Sequence, residues 1–148
     1  MRLVFLDFDG AILPFDPSGS GDRGIPSKEA VDNLNSLLQM SGANVVVSSS
    51  WRVGRSLSEL NALLRTWGVR ANVVGRTGTD PDDDRCVEIL NWIDDHVLDE
   101  SKMSFVVVDH DLVDLEPIAN RVVSPDPKVG ISWEDVQCAL KLLQETQR

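Results

Sequence analysis

Two aspartates one residue apart, Asp7 and Asp9, close the first apolar run of the chain, Leu3-Val4-Phe5-Leu6-Asp7-Phe8-Asp9-Gly10. The run is short and rich in β-formers, so it reads as a buried strand. An unpaired carboxylate inside a core is too costly, which puts both aspartates where the strand ends and the backbone turns out at Gly10. Extended side chains repeat every two residues, so Asp7 and Asp9 point toward one small volume. Like charges held together need a cation, a shared proton or both. Asp-x-Asp-Gly therefore reads as a Mg²⁺ site in which one carboxylate can also act as a nucleophile. The same residue types also build ordinary surface turns, so the motif needs company.

Company comes from two later runs. Asn44-Val45-Val46-Val47 leads into Ser48-Ser49-Ser50-Trp51-Arg52, and Ser104-Phe105-Val106-Val107-Val108 leads into Asp109-His110-Asp111. Each is an apolar, β-branched segment that ends in hydroxyls or carboxylates. Three strands thus deliver polar groups at their C-terminal ends, the edge at which open α/β sheets bind ligands.

In these residues the chain resembles the haloacid dehalogenase (HAD) superfamily of phosphohydrolases. Asp7-Phe8-Asp9-Gly10-Ala11-Ile12 is similar to its first motif, Val45-Val46-Val47-Ser48-Ser49 to its second and Val106-Val107-Val108-Asp109-His110-Asp111 to its fourth. Arg85 matches the position of the basic third motif. The motifs fall in the right order over nearly the whole chain. Ser49-Ser50-Trp51-Arg52 and Pro127-Lys128-Val129-Gly130-Ile131-Ser132 are further similar to small capless HAD domains, including those of multidomain RNA-repair proteins.

The resemblance implies a Rossmann-like three-layer α/β sandwich with a mainly parallel five-stranded sheet and no cap domain. It also implies a Mg²⁺-dependent phosphomonoesterase working through an aspartyl-phosphate. Asp7 is then the nucleophile, and Asp9 the acid/base that protonates the leaving group and activates water, a role that needs a raised pKa. Ser49 bonds a phosphoryl oxygen and Arg85 offsets its charge. Which of Ser48, Ser49 and Ser50 binds phosphate depends on pleat phase; Ser49 comes first, Ser50 next. The metal ligands are Asp7, Asp109 and the Asp9 backbone carbonyl, with Asp111 as the second acid of the fourth motif. His110 interrupts that acidic pair, and Asp114 competes with Asp111. Lys128 is the fallback for Arg85, since the third motif more often carries Lys. Gly10, Ser50, Arg52 and Lys128 are the candidate substrate contacts. Arg52 follows the motif strand directly, and Trp51 beside it could stack on a base or simply pack over the sheet edge.

The elements that must position these groups alternate strand and helix, which implies a parallel sheet with helices on both faces. Ser27 caps a helix with Ala30, Val31, Leu34, Leu37 and Leu38 on one face, ended by Gly42. Ser56-Leu57-Ser58-Glu59 is a capping box opening a helix with Leu57, Leu60, Leu63, Leu64 and Trp67. Ala71 to Val74 reads as a strand. Asp82-Asp83-Asp84 favours the positive end of a helix striped by Cys86, Ile89, Leu90 and Ile93. A weaker strand follows at Arg121 to Val123. Ser132 caps a last helix facing inward through Val136, Ala139, Leu140 and Leu143. Trp67, Trp92 and Trp133 read as core, and Cys86 and Cys138 as buried free thiols without metal-ligand spacing.

At 148 residues the chain fits one domain, 1–148, with a sizeable core. No transmembrane-length stretch occurs and no secretory leader is read before the first strand, which implies a cytoplasmic protein or a domain of something larger. Residues 10–26 read as a squiggle and flap rather than a cap, so the site is open and suits a large phosphorylated substrate, a nucleic-acid end or a phosphoprotein. A net charge of −10 opposes non-specific polyanion binding. Against that, Arg52, Arg55, Arg65, Arg70 and Arg76 cluster against Glu59 alone. The competing classes are a catalytically silent interaction module with the same fold and a small-metabolite or nucleotide phosphatase. Oligomeric state is not legible.

Overall fold

Five parallel strands in the order β3-β2-β1-β4-β5 form the middle layer: β1 (Arg2–Leu6), β2 (Asn44–Val47), β3 (Val73–Arg76), β4 (Ser104–Val108) and β5 (Val122–Val123). The structure is a computed structural model and describes residues 1–15 and 25–145. The flap expected over 10–26 lies largely outside the described residues. No described helix is long and apolar enough to cross a membrane.

Strand pleat divides the core in two. Val4, Leu6, Val45, Val47, Val106 and Val108 pack with α1 (Lys28–Ser41), α2 (Leu57–Thr66) and α4 (Trp133–Leu143). Leu3, Phe5, Val46, Phe105 and Val107 pack with α3 (Arg85–His96) and the 3-10 turn Glu116–Arg121. This is the three-layer α/β sandwich the alternation implies, with no obvious cap among the described residues. At about 25 cal/mol per Å² of apolar surface, the two cores supply the main driving force for the fold.

Helix starts follow their sequence signals. Ser27 accepts from the Ala30 N–H, Ser56 and Ser132 form capping boxes with Glu59 and Asp135, and Asp84 accepts from the Val87 N–H. The first-turn apolar residues Leu57 and Trp133 nevertheless stay exposed, Trp133 at 48%, because the inward stripes begin one turn later at Leu60 and Val136. Trp133 is therefore not a core residue, and Cys138 is exposed where a buried thiol is expected. Trp92, Cys86 and most of the inward-facing residues of the four helices are buried as their spacing predicts, while Leu63, Trp67 and Leu140 are partly buried against the core and Leu90 is exposed.

Two strands shift from their predicted bounds. β3 runs Val73–Arg76 rather than Ala71 to Val74, and Gly75 lets it pass beneath the Trp92 indole, where a Cβ would stand 2.6 Å from the ring. β5 loses Arg121 to the preceding 3-10 turn, where its guanidinium donates to the Phe105 and Leu142 carbonyls.

After β1 the chain coils tightly, with the N–H groups of Ala11, Ile12 and Leu13 all directed to the Phe8 carbonyl. The turn 126–130 docks on this coil through Ile131 N–H to Ala11 O at 2.8 Å. Gly130 makes the approach possible, at φ +85° with space for no Cβ: one would lie 2.6 Å from Ala11 O and 2.9 Å from Ala30 Cβ. Gly130→Ala combines left-handed strain with overpacking and is expected to cost about 2–4 kcal/mol. Urea unfolding checks this; a midpoint equal to wild type would show that the turn does not need the close approach.

Candidate active site

The ladder of the sheet runs one residue past the strands. Thr77 N–H donates to Val47 O, Ser48 N–H to Leu6 O, Asp7 N–H to Val108 O and Asp109 N–H to Val123 O, all at 3.0–3.1 Å. Leu6 is in register with both Val47 and Val108, so Thr77, Ser48, Asp7 and Asp109 stand side by side in one row at the C-terminal edge. The strand order changes direction between β1 and β4, and Asp7 and Asp109 lie at that switch point.

Burial makes the row unusual. Asp7, Asp109, Ser48 and Thr77 are 6%, 0%, 2% and 1% exposed. Among the described residues, the buried side-chain polar atoms without a hydrogen-bond partner are Ser48 Oγ, Thr77 Oγ1 and Asp109 Oδ2, all in this row. Native proteins rarely leave such groups unpaired unless a ligand or solvent completes them. Arg85 Nη1 stands 3.0 Å from Asp109 Oδ2 without hydrogen-bond alignment. Asp109 Oδ1 accepts the Asp111 N–H at 2.9 Å.

Asp7, Asp109 and His110 bring one ligand atom each to within 4.8 Å of one another, an arrangement that can hold a metal ion. His110 Nδ1 lies 3.1 Å from Asp7 Oδ2 and 3.9 Å from Asp109 Oδ1. His110, which interrupts the acidic pair in sequence, joins it in space. Its signal was adjacency to Asp109 together with Gly10, which at φ +77° leaves room for the imidazole: a Cβ there would be 2.7 Å from His110 Cγ. Gly10 thus admits His110 to Asp7. Phe15 closes on the same ring edge-on at 5.0 Å.

Burial disfavours the charged form of both carboxylates. Burial, then the charge of Asp109, pushes the Asp7 carboxyl up to about 7, against the opposing pull of His110 and Arg85. Burial also raises Asp109, although the Asp111 N–H and Arg85 favour its charged form. A divalent cation would relieve both groups, and Asp109 Oδ2, buried beside Arg85 without a hydrogen bond, fits one.

The remaining expected residues divide. Arg85, in the first turn of α3, joins the cluster, and its Nη1 is also 3.5 Å from the Asp111 carbonyl. Lys128 is exposed in the 126–130 turn, its N–H capped by Asp126. The Asp9 carboxylate is not in the metal-binding group; its Oδ1 accepts the Trp51 indole N–H at 3.1 Å. Nor is that of Asp111, whose Oδ1 accepts from Val113 N–H. Asp114 is exposed at φ 72°. Ser49 is buried and caps the 3-10 turn Ser50–Arg52 by accepting from Trp51 N–H, whereas Ser50 is exposed.

Arg52 differs most from its expected role as a substrate contact. It is buried, and its five N–H groups meet five acceptors: the carbonyls of Thr77, Ser48, Ser49 and Gly78, and the Glu88 carboxylate at 2.8 Å. No donor remains for a phosphate.

A parallel sheet of this order, with an acidic pair at its switch point and a basic residue on the following helix, is the HAD arrangement. The family described as the HAD domain in Swiss Army Knife RNA repair proteins matches residues 3–136, and the chain belongs to it. No curated protein matches the chain.

The raised Asp7 carboxyl predicts a pH signature. The folded protein keeps a proton that the unfolded chain loses above about 4, so this stabilisation is whole below pH 4, declines from 4 to 7 and is gone above about 7. Its full size is on the order of a few kcal/mol. Without metal, Asp7→Asn should therefore gain stability over wild type as pH rises from 5.5 to 8, and Mg²⁺ should narrow that gap at pH 8. Calorimetry in chelator and in Mg²⁺ reads both. A wild-type-to-variant difference that is flat with pH would show that burial does not strain Asp7.

Proposed function

We propose that the protein is a Mg²⁺-dependent phosphomonoesterase that works through an aspartyl-phosphate on Asp7 and acts on phosphorylated polynucleotide ends. The observation that carries this reading is the row of Asp7, Asp109 and Ser48 at the switch point, with buried, unpaired oxygens and Arg85 beside them. A binding module has no physical need to store that cost.

Asp7 and Asp109 would hold Mg²⁺, with the Asp9 carbonyl as the family implies; the ion screens carboxylate from phosphate. His110 nitrogen is a poor Mg²⁺ ligand, so its part is to hold Asp7 Oδ2. The Asp7 carboxylate attacks phosphorus, the bond to the leaving oxygen breaks, and that oxygen takes the bond's electron pair and a proton from Asp9. Water then gives a proton to Asp9 and attacks phosphorus, the bond from phosphorus to the Asp7 oxygen breaks with its electron pair going to that oxygen, and the Asp7 carboxylate and inorganic phosphate are released. Arg85 offsets phosphoryl charge. For the phosphoryl hydrogen bond the register supports Ser48, level with Asp7 and with a free buried hydroxyl. Ser49, the first choice on sequence, is drawn into capping.

The exposed Arg76 at the end of β3 and the repair context of the family support a polymeric end over a small metabolite. Wild type should release phosphate from an aryl phosphate only with Mg²⁺, and Asp7→Asn should fall to background. Phosphorylated oligoribonucleotides should have a higher kcat/KM than free nucleotides or phosphopeptides. Absence of turnover on all of these would favour a silent module. A preference for free nucleotides would refute only the polymeric substrate.

A further inference from the structure

Asp9 is asked to give and take a proton, so the direction in which its carboxylate points matters to the proposed chemistry. Its Oδ1 accepts the indole N–H of Trp51 at 3.1 Å, a bond that bridges 42 positions of sequence. Trp51 is itself fixed on several sides. Its ring meets Trp67 edge-on at 5.3 Å and Phe8 at 6.4 Å, and its backbone N–H is tied to Ser49 Oγ. The Arg55 guanidinium lies over the indole face, 5.1 Å from its centroid, and Arg55 Nη1 donates to the Trp51 carbonyl. A cation on the π face draws electron density from the ring and makes its N–H a stronger donor. Phe8, between the two motif aspartates, also meets Trp67 at 5.4 Å, so the ring cluster grips the β1 loop and the β2 loop together.

We infer that Trp51 is the positioning residue for Asp9, holding one carboxylate oxygen through the indole N–H so that the group meets the leaving oxygen of the substrate. This reading deepens the phosphatase assignment and rests on it. It also gives Trp51 a task other than stacking on a base: the ring is engaged by Arg55, Trp67 and Phe8. The bond acts only through Asp9, so its loss should appear where protonation matters. An alkyl phosphate, such as a nucleoside phosphate, leaves as a poorly stabilised alkoxide and needs the proton; an activated nitrophenyl phosphate leaves without it.

The test compares wild type, Trp51→Phe and protein carrying benzothienylalanine at position 51, which keeps the shape of indole and removes its N–H. For each, the rate of the first-turnover burst on nitrophenyl phosphate is set against the single-turnover rate on a phosphorylated oligonucleotide. General acid catalysis contributes on the order of 10²–10⁴, so both variants should lose about tenfold or more on the oligonucleotide relative to the burst. General loosening of the site would slow both rates together, and equal losses would overturn the inference. The Trp51 indole N–H signal in ¹⁵N NMR supplies a readout independent of turnover: it should shift and exchange faster with solvent in Asp9→Ala. An unmoved signal would overturn the inference even if activity fell. Wild type inactive on both substrates would instead overturn the phosphatase reading, and the catalytic task of Trp51 with it.

Discussion

Burial of two neighbouring carboxylates, Asp7 and Asp109, is the constraint around which the rest of the site is arranged. Parallel pairing of β1 with β4 puts them in adjacent positions one residue beyond the last register pair, and burial leaves neither enough water to screen its charge. The answer is partial: Arg85 from α3, His110 from the residue after Asp109 and the Asp111 N–H all lean toward the charged forms, yet Asp7 stays raised to about 7. Full compensation would leave nothing for a cation or a phosphoryl group to do. The residual cost is what a ligand can relieve, so stability and binding share one origin here.

Delivery of Arg85 depends on Arg52. The buried pair Arg52–Glu88 fixes the first turn of α3, and the same guanidinium holds the carbonyls that follow β2 and β3. Glu88 lies one turn beyond Arg85 on that helix, so a single side chain sets the spacing between the serine loop and the basic residue. Buried charges of this kind add little net stability over an apolar substitute, but their directed bonds discriminate among arrangements. Glycines do the complementary work on the other side. Gly10 lets His110 close on Asp7, and Gly130 lets the late turn seat on the coil that follows Asp9.

Much of this was legible because it rests on local rules. Helix caps at Ser27, Ser56, Asp84 and Ser132 come from side chains a few residues from the groups they satisfy, and strand pleat alone put the acidic motifs at strand ends. Register was not legible. Whether Ser48 or Ser49 stands level with Asp7 turns on a one-residue phase that only the pairing of β1 with β2 decides. Arg52 and Trp51 were ambiguous for a related reason: an arginine or tryptophan after a motif strand can face substrate or face inward. Three of the five acceptors that claim Arg52, from Thr77, Gly78 and Glu88, lie more than twenty residues away. Trp133 shows the limit of periodicity, which gives a helix face but not where along the helix the sheet begins to cover it, whereas Cys138 lies off the inward stripe of Val136, Ala139 and Leu143.

The proposed chemistry places one more demand on this fold. An acyl-phosphate and its attacking water need a controlled environment, and no described segment forms a domain over the edge. Every catalytic group argued for here comes from the core itself: β1, β2, β4, the start of α3 and the loops directly after them. Precision therefore has to come from contacts within that layer, which is the task of the Trp51 bond to Asp9 and of His110 against Asp7. For the proposed chemistry, orientation by these fixed contacts is what would bring the acyl-phosphate and its attacking water together.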